Sequence, residues 1–387
     1  MRILLIAPTF GTITHGPARM MNHLWTDLPR LRPDVELHLL TEDPPTDERL
    51  NDCVFSHTVR YPARVEALHK LIRSISYRRA LRRLQRKFRF DVLVFAEGIQ
   101  GWATVCRGGK KKPAVILLVN DTAYTDLWPH PGEGKGKQLL RRLYRYLEGA
   151  AVRRASMTVV PSNYALEKLC MAYQNRLNAK LKVGVLRPCV VFAGKTIETR
   201  SAPKPEEPLR ILFLKSNPVL GGLDILVRAM HLLTDLRIEL TAAGFAPDRL
   251  TEEMRQLTTA LPTESKVIFP GYLGERELQT AFARAHLLCL PSRRDALPFV
   301  VLEALAAGLP VAAAATEGVG EALDCGRSGL LLAPTAEAFA TALRDLATDR
   351  AVYDRWAAAA ARGPHPVFSR TATVTVFCHY LDQVTGP

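Results

Sequence analysis

Residues 289–312 read CLPSRRDALPFVVLEALAAGLPVA, and the rest of the chain is best understood outward from them. The apolar run AHLLCL at 285–290 has the length of a buried strand and is broken by Pro291 and Ser292. A loop with Arg293, Arg294 and Asp295 follows. From Pro298 onward Val300, Val301, Ala304, Leu305 and Ala307 recur three and four apart, the spacing of one buried helix face. Gly308 and Pro310 stop that helix, and VAAAA at 311–315 begins another strand. Asp295 therefore precedes a helix N-terminus, and Glu303 lies eight positions on, within its first two turns. Unbonded amides at such an end, with the positive pole of the helix dipole, suit an anion such as a diphosphate.

Composition sets the wider frame. A chain of 387 residues, 48% hydrophobic and 7% aromatic, is long enough for two globular domains. No stretch of eighteen apolar residues predicts a membrane span. The apolar opening MRILLIAPTF is too short for a signal peptide and reads as a first strand. Seven cysteines without paired spacing point to reduced thiols in a cytoplasm, and no metal site is expected. The net charge of +14 is uneven. Residues 1–199 hold 33 Lys and Arg against 17 Asp and Glu, and residues 200–387 hold 19 against 21. That asymmetry speaks to partners rather than to fold.

Along the chain, RILLIAP (2–8), VELHLL (35–40), FDVLVFAEG (90–98), AVILLVN (114–120) and the runs near 156–160 and 182–192 read as parallel strands alternating with helices. Residues 60–89 hold eleven basic residues and one acid, with Ile72, Ile75, Tyr77, Leu81, Leu84 and Phe88 at helical spacing. A second basic helix is expected at 135–156. Both suit an anionic membrane surface or a phosphorylated acceptor, and equally a solvated arginine face. No aromatic-interleaved basic stretch, zinc finger or recognition helix accompanies them, so nucleic acid is not expected. The polar segment TRSAPKPEEP (199–208) reads as an interdomain linker. It separates a domain at 1–198 from one at 209–365, with a last helix at 366–387.

The central stretch resembles the nucleotide-sugar site of the retaining glycosyltransferases of family 4, the group 1 type. Their pattern is a Pro-Ser, two acids eight apart, and a closing EA…G-x-PV. Here Pro291-Ser292, Asp295, Glu303 and EALAAGLPV match, while Asp replaces the first Glu and Ala296-Leu297-Pro298 replaces Gly-Phe-Gly. Ordered matches support the resemblance over about 150 residues: LRILFLK (209–215), the Gly221-Gly222 loop, Gly244, and VIFPG (267–271). Glu321, Gly326 and Gly329 match the tail of the same pattern. One departure stands out. The family's phosphate-binding Lys falls at Gly221 and its Arg at Ser216, beside Lys215.

The resemblance implies an α/β protein of GT-B type, two Rossmann-like domains with parallel sheets facing across a cleft. It implies retaining, metal-independent transfer of a sugar from a nucleotide-diphosphate donor, UDP-sugar favoured, with no cofactor. Asp295, Asp121 and Lys215 would be the catalytic groups. Gly16, Lys215, Tyr272, Leu273, Arg294, Leu297, Phe299, Val300 and Glu303 would bind the donor, Arg293 offering a further cation and Glu303 taking the ribose hydroxyls. His15, Arg19 and Asn120 would line the acceptor side. From charge, the acceptor is expected to be anionic or lipid-linked, and the enzyme cytoplasmic and peripheral on a membrane through 60–89 and 135–154. A small natural product such as an aminocyclitol antibiotic is an alternative acceptor. A non-catalytic scaffold, suggested by Gly221, and a nucleotide-sugar epimerase are the alternatives of other classes.

Overall fold

The computed structural model describes residues 1–7, 16–42, 54–59, 69–105, 112–120, 134–173, 182–190, 200–204, 206–262 and 264–386. The chain divides into two compact units, one of residues 1–189 and 369–387, the other of residues 190–368.

The first unit carries a parallel sheet of Arg2–Ile6 (β1), Glu36–Thr41 (β2), Val54–Thr58 (β3), Val92–Phe95 (β4), Ala114–Leu118 (β5), Met157–Val160 (β6) and Val183–Val185 (β7). Their order is β3-β2-β1-β4-β5-β6-β7, and every pairing is parallel. Central strands such as β4, and β1 from Ile3 onward, are buried, which is why they read as unbroken apolar runs. The final helix, Arg370–Thr385, packs on helix Gly16–Leu31 in this same unit. Trp25 and Phe377 meet with ring centroids 6.1 Å apart, and Arg370 Nε donates to Asp27 Oδ2 at 2.5 Å. Tyr380 and Thr373 add hydrogen bonds to the carbonyls of Val185 and Arg187.

The second unit repeats the plan with Leu209–Leu214 (β8), Ile238–Ala243 (β9), Lys266–Gly271 (β10), Leu287–Leu290 (β11), Val311–Ala314 (β12) and Leu330–Leu332 (β13). The order is β10-β9-β8-β11-β12-β13, again all parallel. Successive residues serve opposite faces. Phe213, Cys289 and Ala312 join one core with Leu226, Leu240 and Phe339, while Leu212, Leu288 and Ala313 join another with Val301 and Leu305. This unit begins upstream of the 199–208 stretch. Within that stretch Arg200 is already held, donating to the carbonyls of Ala283 and Ala307 at helix ends.

Basic helix His69–Phe88 buries Ser74, Tyr77 and Leu81. Ile75 lies off that stripe and is partly exposed, because the inward face follows 74, 77 and 81 rather than 72 and 75. Residues 60–68 and 107–111 lie outside the described residues.

Candidate functional site

Strands β8, β11 and β12 are neighbours and parallel, so the loops leaving their C-terminal ends emerge side by side. Those loops carry Lys215, the 291–298 segment and residues 315–318 respectively. In an open α/β sheet this is the edge at which ligands bind.

Lys215 Nζ donates to Asp295 Oδ2, forming an ion pair whose side chains are only 20% and 12% exposed. Burial pushes the Asp295 carboxyl above the ordinary carboxylate range, Lys215 opposes that, and nearby Glu317 adds to it. The Leu297 amide bonds the same carboxyl and favours its charged form. Helix Phe299–Ala306 starts immediately after, with Pro298 at the N-cap and no side chain among the described residues capping it. Leu297 is buried, Phe299 and Val300 are half-buried in the first turn, and Glu303 is half-buried one turn further along.

The neighbouring loops are pinned to this segment through backbone contacts. Gly222, the N-cap of helix Leu223–His231, has φ 73°. A Cβ there would lie 2.0 Å from the Pro291 carbonyl oxygen, so only glycine fits. The Gly318 amide donates to the Asp295 carbonyl at 2.9 Å, and a Cβ at 318 would fall 1.8 Å from the Ala296 oxygen. Thr316 Oγ1 donates to the Ser292 carbonyl at 2.8 Å. Asp295 is thus clamped between two loops before any ligand arrives.

The two arginines beside Asp295 diverge. Arg293 forms a two-pronged pair with Asp224, at 2.7 and 2.6 Å, and also donates to the Val219 carbonyl at 2.8 Å. Its role in this structure is to tie the glycine loop to the β11 loop. Burial alone would raise the Asp224 carboxyl, but Arg293 outweighs it and holds the group below the ordinary range. Arg294 Nε donates to Glu317 Oε1 at 3.1 Å. Glu317 escapes the sequence pattern, yet it sits at this edge with φ 44°, a left-handed conformation that costs a non-glycine residue energy. Its only sequence signal is its place between a strand end and Gly318.

Gly221 is buried, and a Cβ there would meet Phe213 Cζ at 2.7 Å and Lys215 Cγ at 2.9 Å. The Lys215 stem therefore occupies the space beside residue 221. Tyr272 and Leu273 follow β10 at the same edge of the sheet, beyond β9, with Tyr272 64% exposed. In the first unit Asn120, at the end of β5, donates to the Ala96 carbonyl at 3.1 Å. Gly16 opens helix Gly16–Leu31 and Arg19 lies in its first turn. His15 and Asp121 lie outside the described residues. Among the described residues no group of three His, Cys, Asp or Glu is placed to hold a metal ion.

Residues 194–363 match the family described as glycosyl transferases group 1, and residues 15–171 match the glycosyl transferase 4-like domain. The chain belongs to the group 1 glycosyl transferases. Within the family it is 33% identical over 200 residues to the D-inositol 3-phosphate glycosyltransferase of Streptomyces avermitilis, an alignment covering 47% of this chain and 42% of that protein. The match thus spans less than half the length of this curated relative. Among solved structures, sucrose-phosphate synthase from Thermosynechococcus elongatus superposes with TM-score 0.73 at 17% identity, covering 99% of this chain and 98% of that one. HepE from Anabaena, in complex with UDP-glucose, gives TM-score 0.68 at 17% identity, covering 99% of each. These likenesses show the fold: two Rossmann-like units of the GT-B class.

Proposed function

We propose that this group 1 glycosyl transferase moves a sugar from a nucleotide-diphosphate donor, UDP-sugar favoured, to an acceptor hydroxyl, with retention of configuration and without a metal ion. The observation that carries the reading is Lys215 paired with an Asp295 whose side chain is only 12% exposed, at the open end of helix Phe299–Ala306, with Glu303 one turn into it. When the C1–O bond to the diphosphate breaks, negative charge collects on the leaving group and positive charge on the sugar. Catalysis is then chiefly electrostatic and positional. Lys215, Arg294 and the amides of Phe299 and Val300 stabilise the diphosphate, and Asp295, held by the Leu297 amide, faces the sugar. Glu303 takes the ribose hydroxyls, and the Tyr272–Leu273 backbone meets the base. Lys215 does the work of the lysine absent at 221. Gly16, His15, Arg19, Asn120 and Asp121 serve the donor phosphates and the acceptor side.

The basic excess of residues 1–199 supports an anionic acceptor, phosphorylated or lipid-linked, and an enzyme working peripherally at the cytoplasmic face of a membrane. The Streptomyces relative's name likewise includes a phosphorylated compound. No helix among the described residues is long and apolar enough to cross a membrane.

Calorimetric titration with UDP, GDP and ADP tests the donor site. One nucleotide is expected to bind at micromolar affinity, and Glu303→Ala to weaken it about 10- to 100-fold, the worth of hydrogen bonds to a charged group. Transfer should fail in Asp295→Ala while nucleotide binding survives. No binding by any of the three nucleotides would overturn the enzymatic reading in favour of the scaffold one.

A further inference from the structure

Helix Lys135–Val152 is apolar on two sides. One side is spent inside the protein, where Leu140, Tyr144 and Leu147 pack with Ile99, Leu71 and Trp102. The other is not. Leu139, Leu143 and Tyr146 are 69%, 38% and 58% exposed. At four- and three-residue spacing they fall within an arc of about 60° on the helix surface. Single exposed apolar residues are commonplace, whereas an aligned set of three on one helix is a face that the described residues leave uncovered.

The charges exposed on the helix itself, among the described residues, have one sign. Lys135, Lys137, Arg141, Arg142 and Arg145 belong to the helix, Lys135 and Arg142 being exposed, and its sole carboxylate, Glu148, is buried and bonded by Tyr173. Basic helix His69–Phe88 packs on the same Gly98–Val105 segment, so both helices cover one side of the sheet. That second helix contributes eight Lys and Arg and no Asp or Glu. Cations alone would suit any polyanion. A leucine and tyrosine stripe beside them fits a surface that offers both phosphate and hydrocarbon, which a nucleic acid backbone does not.

We propose that helix Lys135–Val152 docks on an anionic phospholipid bilayer, its Leu139–Leu143–Tyr146 face entering the headgroup–acyl boundary while the arginines of both helices hold lipid phosphates. This rests on reading the first unit as facing an anionic surface, and it is independent of sugar transfer.

Sedimentation of the full chain with phosphatidylcholine vesicles, and with vesicles enriched in phosphatidylglycerol, tests it. The protein is expected to bind the anionic vesicles alone. The pair Leu139→Ser with Leu143→Ser, checked for native circular dichroism, should weaken that binding about tenfold or more, since each leucine loses apolar burial in the bilayer. Leu139→Trp should strengthen binding, and its emission should shift to the blue on the vesicles. Wild-type protein that ignores anionic vesicles overturns both the surface reading and the docking helix. Anionic binding unchanged by the serine pair and by Leu139→Trp overturns the docking helix only, leaving a purely electrostatic surface. Retention of an RNA oligonucleotide more tightly than vesicles, indifferent to the serine pair, assigns the cations to nucleic acid and likewise overturns it.

Discussion

Glu317 holds a left-handed backbone that glycine would adopt freely, and its carboxylate bonds Arg294 beside Asp295. Replacing it by glycine or by alanine removes the same carboxylate, so the difference between the two variants isolates the backbone. Glu317→Gly is expected to be about 1 kcal/mol more stable than Glu317→Ala in urea denaturation. Equal stabilities would mean the conformation carries no strain. Lys215 and Gly221 form a second pair to test. A Cβ at 221 would press on Lys215 Cγ and Phe213 Cζ, so Gly221→Lys alone should displace Lys215 and weaken nucleotide binding. Gly221→Lys combined with Lys215→Ala is expected to regain affinity toward wild type by calorimetry. If the single variant binds more tightly than wild type, Lys215 is not the group that meets the diphosphate. The eight-residue spacing of Asp295 and Glu303 was legible in the sequence because both lie in one continuous strand–loop–helix unit. The commitment of Arg293 to Asp224 was not, since these residues are 69 apart and meet only when two loops close on each other.

At the level of elements, the sheets follow from local pattern, and the exceptions are instructive. Strands β3 and β13 lie outside the expected set. Both are short edge strands, and β3, reading VFSHT, has two apolar residues followed by three polar ones, too little pattern to announce a strand. Strand ends also carry a pH response. The His286 ring, just before β11, accepts the Arg210 amide at Nδ1, 3.0 Å away. Burial, followed by the nearby Arg210 charge, lowers its pKa from 6.5 to about 4. A histidine depressed on folding stays neutral in the native state while the unfolded chain takes up a proton. Its contribution is therefore complete above 6.5 and is lost as pH falls toward about 4. Denaturation midpoints measured across that window should decline for the wild type and decline less for His286→Asn. A parallel decline in both would place the acid sensitivity elsewhere.

For the molecule as a whole, the decisive feature is that cations concentrate in residues 1–199 while the residues proposed for the sugar donor, apart from Gly16, lie in 190–368. Salt should therefore act unequally. The KM for an anionic acceptor is expected to rise several-fold between low and physiological ionic strength, with the Kd for UDP changing far less. A matched response of the two constants would contradict that division. Composition, the strands other than β3 and β13, and the Asp295–Glu303 unit were settled by the sequence, because each depends on neighbours within a few turns and on the burial pattern along single elements. Which carboxylate each cation meets was decided only by tertiary structure. Lys215, Arg293 and Arg294 look alike in one dimension, and what separates them is the carboxylate each one meets across the ends of different strands: Asp295, Asp224 and Glu317.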